Sequence, residues 1–248
     1  MSDPVSENKT SPSAQGRKGG FLSNLLFNIV IPVVILTKFS SEEALGPVWS
    51  IVIALAFPIG FGLWEMRITG KVNGFSILGV VSVMLTGGIS LLQLDPKYIA
   101  IKEAAIPGLI GLAVIVSQKS HRSLVKMMVF NDQIVQISKV HEALKEQGTE
   151  QLFEQKMNVV TYIVASSFFL SSALNYFLAK FVLLSPPGTS AYSEELGKMT
   201  ALSYPVIVIP SMIVLVSAIW YLFAQLKTLT KLPLEELMVD SSGKSDDK

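Results

Sequence analysis

The sequence predicts an all-α, polytopic transmembrane bundle of about six helices, with a short amphipathic helical segment between helices 4 and 5. Three observations support this fold class. Half of the 248 residues are hydrophobic, and only 16% are charged, whereas a soluble domain carries about 25% charged residues. The apolar residues are also gathered into six long runs between two polar tails. Most of the chain is therefore expected to have lipid as its solvent.

Six apolar segments are expected to cross the bilayer, because a spanning helix needs about 20 mainly apolar residues. They are Phe21–Leu36, Val48–Trp64, Phe75–Leu94, Ile99–Val116, Val159–Leu184 and Tyr204–Phe223. The first is short and follows Arg17 and Lys18, so it also resembles a signal peptide. Asn24, Asn28 and Pro32 within it favour an uncleaved first helix, although the sequence leaves cleavage open.

The segments divide the chain into five parts. These are a disordered tail over residues 1–20, helices 1–4 over 21–116, an amphipathic segment over 117–158, helices 5–6 over 159–226, and a second tail over 227–248. Fifteen of the twenty Lys and Arg residues fall in the tails and in the 2–3 and 4–5 connections. The positive-inside rule therefore predicts that both termini and the amphipathic segment are cytoplasmic.

Two apolar stripes in the 117–158 segment predict short amphipathic helices. The first stripe is Leu124, Met127 and Met128, and the second is Ile134, Ile137, Val140 and Leu144. Asn131 and Asp132 between them are typical of a helix break and an N-cap. Gly148 and Thr149 end the second helix and begin a third that continues into helix 5. The segment is either a docking surface at the membrane or a cover for the ends of the bundle, and we favour the cover.

Small and weakly polar residues form faces on three helices, and such faces let membrane helices pack closely. They are Gly79, Ser82, Thr86, Gly87, Gly88 and Ser90 in helix 3, Ala104, Gly108 and Gly111 in helix 4, and Ser167, Ser171 and Asn175 in helix 5. We expect these faces to meet inside the bundle. A pore lining would have the same composition, but packing is the more common reason for it.

Polar residues in the first helix are candidates for a transport path. Pro32 lacks an amide hydrogen and frees the carbonyl of Asn28, and Asn28 lies on the same helical face as Asn24. Interrupted helices with polar partners line substrate sites in many transporters. Proline is also simply tolerated in membrane helices, and that explanation is the more common one.

Ionisable residues near a membrane are functional candidates by default. Asp95, Lys102 and Glu103 are expected to cluster around the outer turn between helices 3 and 4. None of the predicted helices carries a charge at its centre, and proton-coupled pumps usually need one. The sequence therefore disfavours an ion-coupled pump.

Enzymatic motifs are missing from the sequence. The chain has no cysteine and only two histidines, and it contains no HExxH, GxSxG or Walker A pattern. We expect no catalytic residue, no metal and no cofactor, and an enzyme that acts on lipid is the least supported hypothesis. A net charge of +1 also argues against nucleic acid as a partner.

Several segments resemble the intracellular septation protein A family of bacterial inner-membrane proteins. The resemblance is clearest over LTGGISLLQLDPKYIAIKEAAIPGLIGLAVIVSQ, and continues through SLVKMMVFND and SSALNYFLAKF. It covers roughly residues 48–225 and rests on no single diagnostic motif, and the long 4–5 connection and the first helix depart from the family. The matching residues, taken as structural positions, are Gly87, Gly88, Asp95, Lys102 and Asn175.

The resemblance implies a divergent relative with a role in envelope maintenance or division at a bacterial inner membrane. The expected partners are the lipid bilayer, other envelope or division membrane proteins, and further copies of the same chain. The alternative hypothesis is a small-solute or ion transporter or channel, with a path lined by helices 1, 3 and 5.

Overall fold

The computed structural model describes residues 25–69, 74–118, 123–129 and 135–238, which are helical apart from turns and one isolated β-bridge. This described part contains nine helices. They are α1 (Leu26–Lys38), α2 (Gly46–Thr69), α3 (Gly74–Leu91), α4 (Lys97–Gln118), α5 (Leu124–Val129), α6 (Ile137–Glu146), α7 (Glu150–Val182), α8 (Ser190–Thr230) and α9 (Leu234–Leu237). The predicted all-α class is confirmed.

Four of the helices are long and apolar enough to cross a membrane, namely α2, α4, α7 and α8. Their outward surfaces are apolar: Ile213 is 66% exposed and Trp220 is 73% exposed. A water-soluble protein rarely leaves such large apolar side chains contiguous and exposed. These features indicate a membrane protein. Each predicted segment overlaps a helix. However, the apolar stretches in α1 and in Ile77–Leu91 of α3 are shorter than a membrane span needs. The total of six membrane-spanning helices therefore remains a prediction.

The chain forms two compact units. The first takes in α1, α2 and α3 together with Ser185–Ala201, which includes the first part of α8. In this unit α1 packs on α2 and α2 packs on α3. A β-carbon placed on Gly197 would lie 2.8 Å from Thr37 Cγ2 and 2.9 Å from Leu36 Cβ. The start of α8 therefore crosses α1 at a distance that only glycine permits, a contact that the sequence analysis missed.

The second unit takes in Asp95–Leu184 and the chain from Leu202 onward. Its centre is the antiparallel pair of α4 and α7, with the later part of α8 packed on α7. A β-carbon on Gly111 would lie 3.1 Å from Phe168 Cβ and 3.3 Å from the carbonyl oxygen of Ala165. This glycine lets the two backbones approach, as the small-residue pattern in helix 4 predicted.

One end of the second unit carries a folded cap, defined here as residues 123–129, 135–157 and 226–238. Its side chains form one buried apolar cluster, whose cap members are Val125, Val135, Val140, Leu144, Phe153, Met157, Leu226, Leu229 and Leu237. Gly148 adopts a positive φ of 63°, and Thr149 is the residue that precedes the first turn of α7. The predicted break at these two residues, with a third helix running on into the membrane span, is confirmed.

The apolar stripe of α6 points into the cap, as predicted from Val140 and Leu144, both of which are buried. The preceding stripe is confirmed only in part: Leu124 packs against the cluster, whereas Met127 is 59% exposed and Val125, which was not predicted, is buried. A helix of six residues makes fewer than two turns, so tertiary contacts and not periodicity decide which side is covered. The other predicted members of these features, Ile134, Asn131 and Asp132, lie outside the described residues.

The beginning of the second tail is also more ordered than the sequence suggested. Within the predicted tail over 227–248, Leu234–Leu237 forms a helical turn, and Leu237 is buried in the cap. The backbone amide of Gln136 donates to the carbonyl of Leu237 at 2.8 Å, and Lys139 pairs with Glu236 at 3.0 Å. We call Leu234–Met238 the strap, because it closes the cap over α6.

Two helices contain a π-helical segment, Leu26–Val30 in α1 and Tyr204–Val208 in α8. Each ends two residues before a proline, Pro32 or Pro210, within a repeated Ile-Val-Ile-Pro sequence. The proline cannot donate to the carbonyl four residues before it. In a π-helical segment each backbone hydrogen bond spans five residues instead of four. The last backbone N–H before each proline therefore donates to the carbonyl five residues before it. The repeat is the sequence signal that would have located both segments.

Candidate functional site

Most of the described ionisable candidates lie at the end of the second unit opposite the cap, where α4 begins and α7 ends. Asp95 stands just before α4, accepts the backbone N–H of Lys97 at 2.9 Å and pairs with its ammonium at 3.2 Å. These two contacts, the backbone one first, lower the pKa of the Asp95 carboxyl below its ordinary value. Because the folded pKa is lowered, the pairing is complete at neutral pH and is lost only as the pH falls through that lowered value.

The helix α4 begins at Lys97, two residues before the predicted start at Ile99, so Lys102 and Glu103 lie in its second turn. The Lys102 Nζ lies 2.7 Å from Glu103 Oε1, and the two side chains are only 8% and 25% exposed. Asp95 and Pro96 set this early start, because an acidic cap followed by proline is a favoured helix beginning. The membrane span therefore contains a buried ion pair that sequence reasoning did not predict.

We expect Lys102→Met to destabilise the folded protein by about 1–2 kcal/mol, because the Glu103 carboxylate then stays in a poorly hydrated place without this cation. Lys126→Met is the control, since its partner Glu154 is more than half exposed and such pairs contribute less than about 1 kcal/mol. Detergent-induced unfolding followed by tryptophan fluorescence would measure both changes. Equal shifts of the two midpoints would contradict a stabilising role for the buried pair.

The polar residues of α7 near this end bond mainly to helix backbone. Asn175 donates from Nδ2 to the Ser171 carbonyl at 2.8 Å and reaches Ser171 Oγ at 3.3 Å. Ser172, which the sequence analysis did not select, donates to the carbonyl of Ala104 in α4 at 2.7 Å. A serine that bonds across to a neighbouring helix stabilises that helix pair.

The row of α7 that contacts α4 lies one position away from the predicted row of Ser167, Ser171 and Asn175. A β-carbon on Gly108 would lie 3.1 Å from Ser172 Oγ, and the neighbours of Gly111 are Ala165 and Phe168. Ser167 itself is buried and donates to the carbonyl of Val164. Successive residues on a helix are 100° apart, so a shift of one position selects an adjacent face.

The predicted polar face of α3 belongs to the first unit. Ser90 and Tyr192 share a buried hydrogen bond of 3.1 Å, and Thr86 donates to the Ser82 carbonyl at 3.1 Å. Sequence reasoning missed Tyr192, although an aromatic residue in an otherwise polar connection could have indicated it. This face is thus occupied by a side chain from the first part of α8.

The three glycines selected in α3 differ in their surroundings. A β-carbon on Gly87 would lie 2.9 Å from Leu55 Cδ1 in α2, whereas one on Gly79 or Gly88 would have no neighbour within 4 Å. Of these three glycines, only Gly87 makes a close approach, to the end of the Leu55 side chain. Among the amides of the first helix, Asn28 is half-buried within the π segment of α1, and Asn24 lies outside the described residues.

A cavity of about 310 Å³ opens between the start of α4 and the end of α7. Its charged and aromatic lining comes from Asp95, Lys97, Tyr176 and Lys180, and its apolar lining comes from Pro96, Ala100, Ala179, Leu183 and Leu184. The Lys180 ammonium lies 5.9 Å from the centre of the Tyr176 ring. We call this cavity the end notch. The sequence did not predict this cavity, because Tyr176 and Lys180 meet Lys97 only through the α4–α7 pairing.

No protein-family model, curated protein or solved structure shows a significant match to this chain. The site must therefore be interpreted from its own geometry.

Within the ranges that the structure describes, no group of three His, Asp or Glu side chains is arranged to hold a metal ion. What the second unit offers is a buried ion pair, a lysine-bearing notch at one end and a folded polar cap at the other.

Proposed function

We propose that this chain is a non-enzymatic integral membrane protein that acts as a scaffold in cell-envelope maintenance or division, at a bacterial inner membrane. The observation that carries the proposal is the cap. It is a folded element attached directly to membrane helices, and its packed apolar interior is continuous with the buried cluster of those helices. The resemblance to the septation protein A family supports the same role.

The outer side of the cap is suited to binding a partner protein. The residues that α6 exposes are Ser138, His141, Glu142, Lys145 and Glu146. Its apolar side is already covered within the cap, so a partner would meet a surface of mixed charge. Charged surfaces of this kind steer association and select partners more than they add affinity. This arrangement favours regulated, reversible assembly.

Site-specific photo-crosslinking in living cells tests the proposal. A photoreactive residue at Glu142 on the exposed face of α6 is expected to capture an envelope or division protein. The same residue at Leu109, an exposed apolar position of the α4 span, is the control and should capture none. Deletion of the gene should also alter cell length or sensitivity to envelope stress.

A deletion strain with ordinary morphology and envelope resistance, together with no specific product from Glu142, would contradict the scaffold function. A double variant, Lys145→Glu with Glu146→Lys, made in the protein that carries the photoreactive residue at position 142, keeps the net charge while it exchanges the charge pattern. It should lose the crosslinked product without loss of membrane insertion.

The alternative function is transport of a small solute or ion. Two observations favour it: the buried Lys102–Glu103 pair within a membrane span, and the π segment that contains Asn28. Intramembrane ion pairs and π segments are both frequent at functional sites. Under this alternative, Asn28→Leu should abolish flux in reconstituted vesicles, and an absence of flux with the unaltered protein would reject transport.

A further inference from the structure

The end notch lies where the polar boundary of a bilayer is expected. The helix α4 has 22 residues, which at 1.5 Å per residue is a length of roughly 33 Å, close to the thickness of the hydrocarbon core. Lys97 begins this helix, and Lys180 is in the last turn of α7. Tyr98 and Tyr176 expose their rings at the same end. Tyrosine is enriched at the headgroup level of membranes.

The charges in the notch are unbalanced. The Asp95 carboxylate is already bound by the backbone and the ammonium of Lys97. Lys180 contacts the Tyr176 ring, and among the residues that the structure describes no carboxylate lies within ion-pair distance of it. The notch therefore presents two ammonium groups against one carboxylate, and so attracts an anion.

The rest of the lining is apolar. Ala100 and Ala179 form the inner wall, and Leu183 is buried beside them. The exposed ring of Phe181 stacks on Phe177 at 6.1 Å along the same helix end. An anion that binds here would thus have a charged contact at one end and an acyl-compatible wall at the other.

We propose that the end notch is a binding site for an anionic phospholipid, whose phosphate is held by Lys180 and Lys97 while its acyl chains lie against Ala100 and Ala179. A zwitterionic lipid would place its own cation among two lysines and would be disfavoured. A soluble anion would gain the charged contacts but would leave the apolar wall uncovered. This inference depends on the membrane location of the helices and not on the proposed scaffold function.

Native mass spectrometry of the purified full-length protein tests the proposal, with phosphatidylglycerol and phosphatidylcholine of identical acyl chains as probes. The unaltered protein should retain phosphatidylglycerol in preference to phosphatidylcholine. Lys180→Gln should weaken phosphatidylglycerol binding about fivefold, which corresponds to the contribution of one lysine at an anionic surface. Lys180→Arg should keep the binding, since it keeps the charge.

The matched control is Lys198→Gln, which removes a lysine that is exposed and already paired with Glu194. It should leave phosphatidylglycerol binding unchanged. Equal retention of the two lipids by the unaltered protein would overturn the proposal, as would unchanged binding in a folded Lys180→Gln variant. Displacement of phosphatidylglycerol by millimolar inorganic phosphate would show a site for soluble anions instead. The comparison of lipids on the unaltered protein remains decisive if the Lys180→Gln variant does not fold.

Discussion

Leu237→Asp should open the cap and expose α6, at a cost of about 4 kcal/mol in the local free energy of unfolding. Leu237 is only 1% exposed and lies in the same apolar cluster as Val140 and Leu144. The substitution removes the buried contacts of a leucine. The new carboxylate must either be buried in the apolar cluster, which is unfavourable, or leave the cluster, which detaches the strap from the cap. The membrane helices α4 and α7 keep their own contacts, so the effect should be confined to the cap.

Hydrogen exchange measured by mass spectrometry would test this prediction. The amides of α6 should exchange faster by two to three orders of magnitude, because about 1.4 kcal/mol corresponds to a factor of ten. Met238→Asp is the matched control: Met238 is adjacent and 40% exposed, and its backbone contact with Gln136 does not need the side chain. If both variants exchange like the unaltered protein, the strap does not hold the cap closed.

Gly111→Leu should separate α4 from α7, at a cost of about 3 kcal/mol or more. A single β-carbon at Gly111 already meets Phe168 Cβ at 3.1 Å and the Ala165 carbonyl oxygen at 3.3 Å. The second contact is with helix backbone, which cannot rotate away as a flexible side chain can. A leucine adds three more carbons at the same place, and overpacking of this kind costs about 1–3 kcal/mol even where neighbours can adjust.

The control for this prediction is the same substitution at a glycine with space around it. A β-carbon on Gly60 has no neighbour within 4 Å, so Gly60→Leu should change the stability by less than about 0.5 kcal/mol. Thermal unfolding in detergent, followed by tryptophan fluorescence, would compare the two variants. Gly111→Ala should fall between them. A smaller loss for Gly111→Leu than for Gly60→Leu would mean that the α4–α7 contact does not limit stability.

The parts of the fold that could be predicted are those with local signals. The apolar length of α4 and α7 exceeds what a soluble helix needs, and their existence follows from it. The end of α6 could be predicted because Gly148 permits a positive φ where the chain leaves a helix. The role of Gly111 could be predicted because small residues in a membrane helix indicate a close approach of a neighbouring helix.

The parts that could not be predicted depend on contacts between distant residues. The strap has only four helical residues, too few for periodicity, and its contact with Lys139 spans 97 positions along the chain. The contacting row of α7 could not be separated from its neighbour, because Ser171 and Ser172 are equally small and polar. The end notch needed the antiparallel pairing of two helices before Lys97 and Lys180 could be placed together.

The long separation between α6 and the strap has a consequence for biosynthesis. Glu236 is synthesised 97 residues after Lys139, which at ribosomal rates of roughly 5–20 residues per second is a delay of several seconds or more. During that interval part of the apolar face of α6 is not yet covered by the strap, and it is exposed to the membrane and to other nascent chains. A chaperone or the bilayer surface itself would shield that side until the later residues emerge and displace the temporary cover.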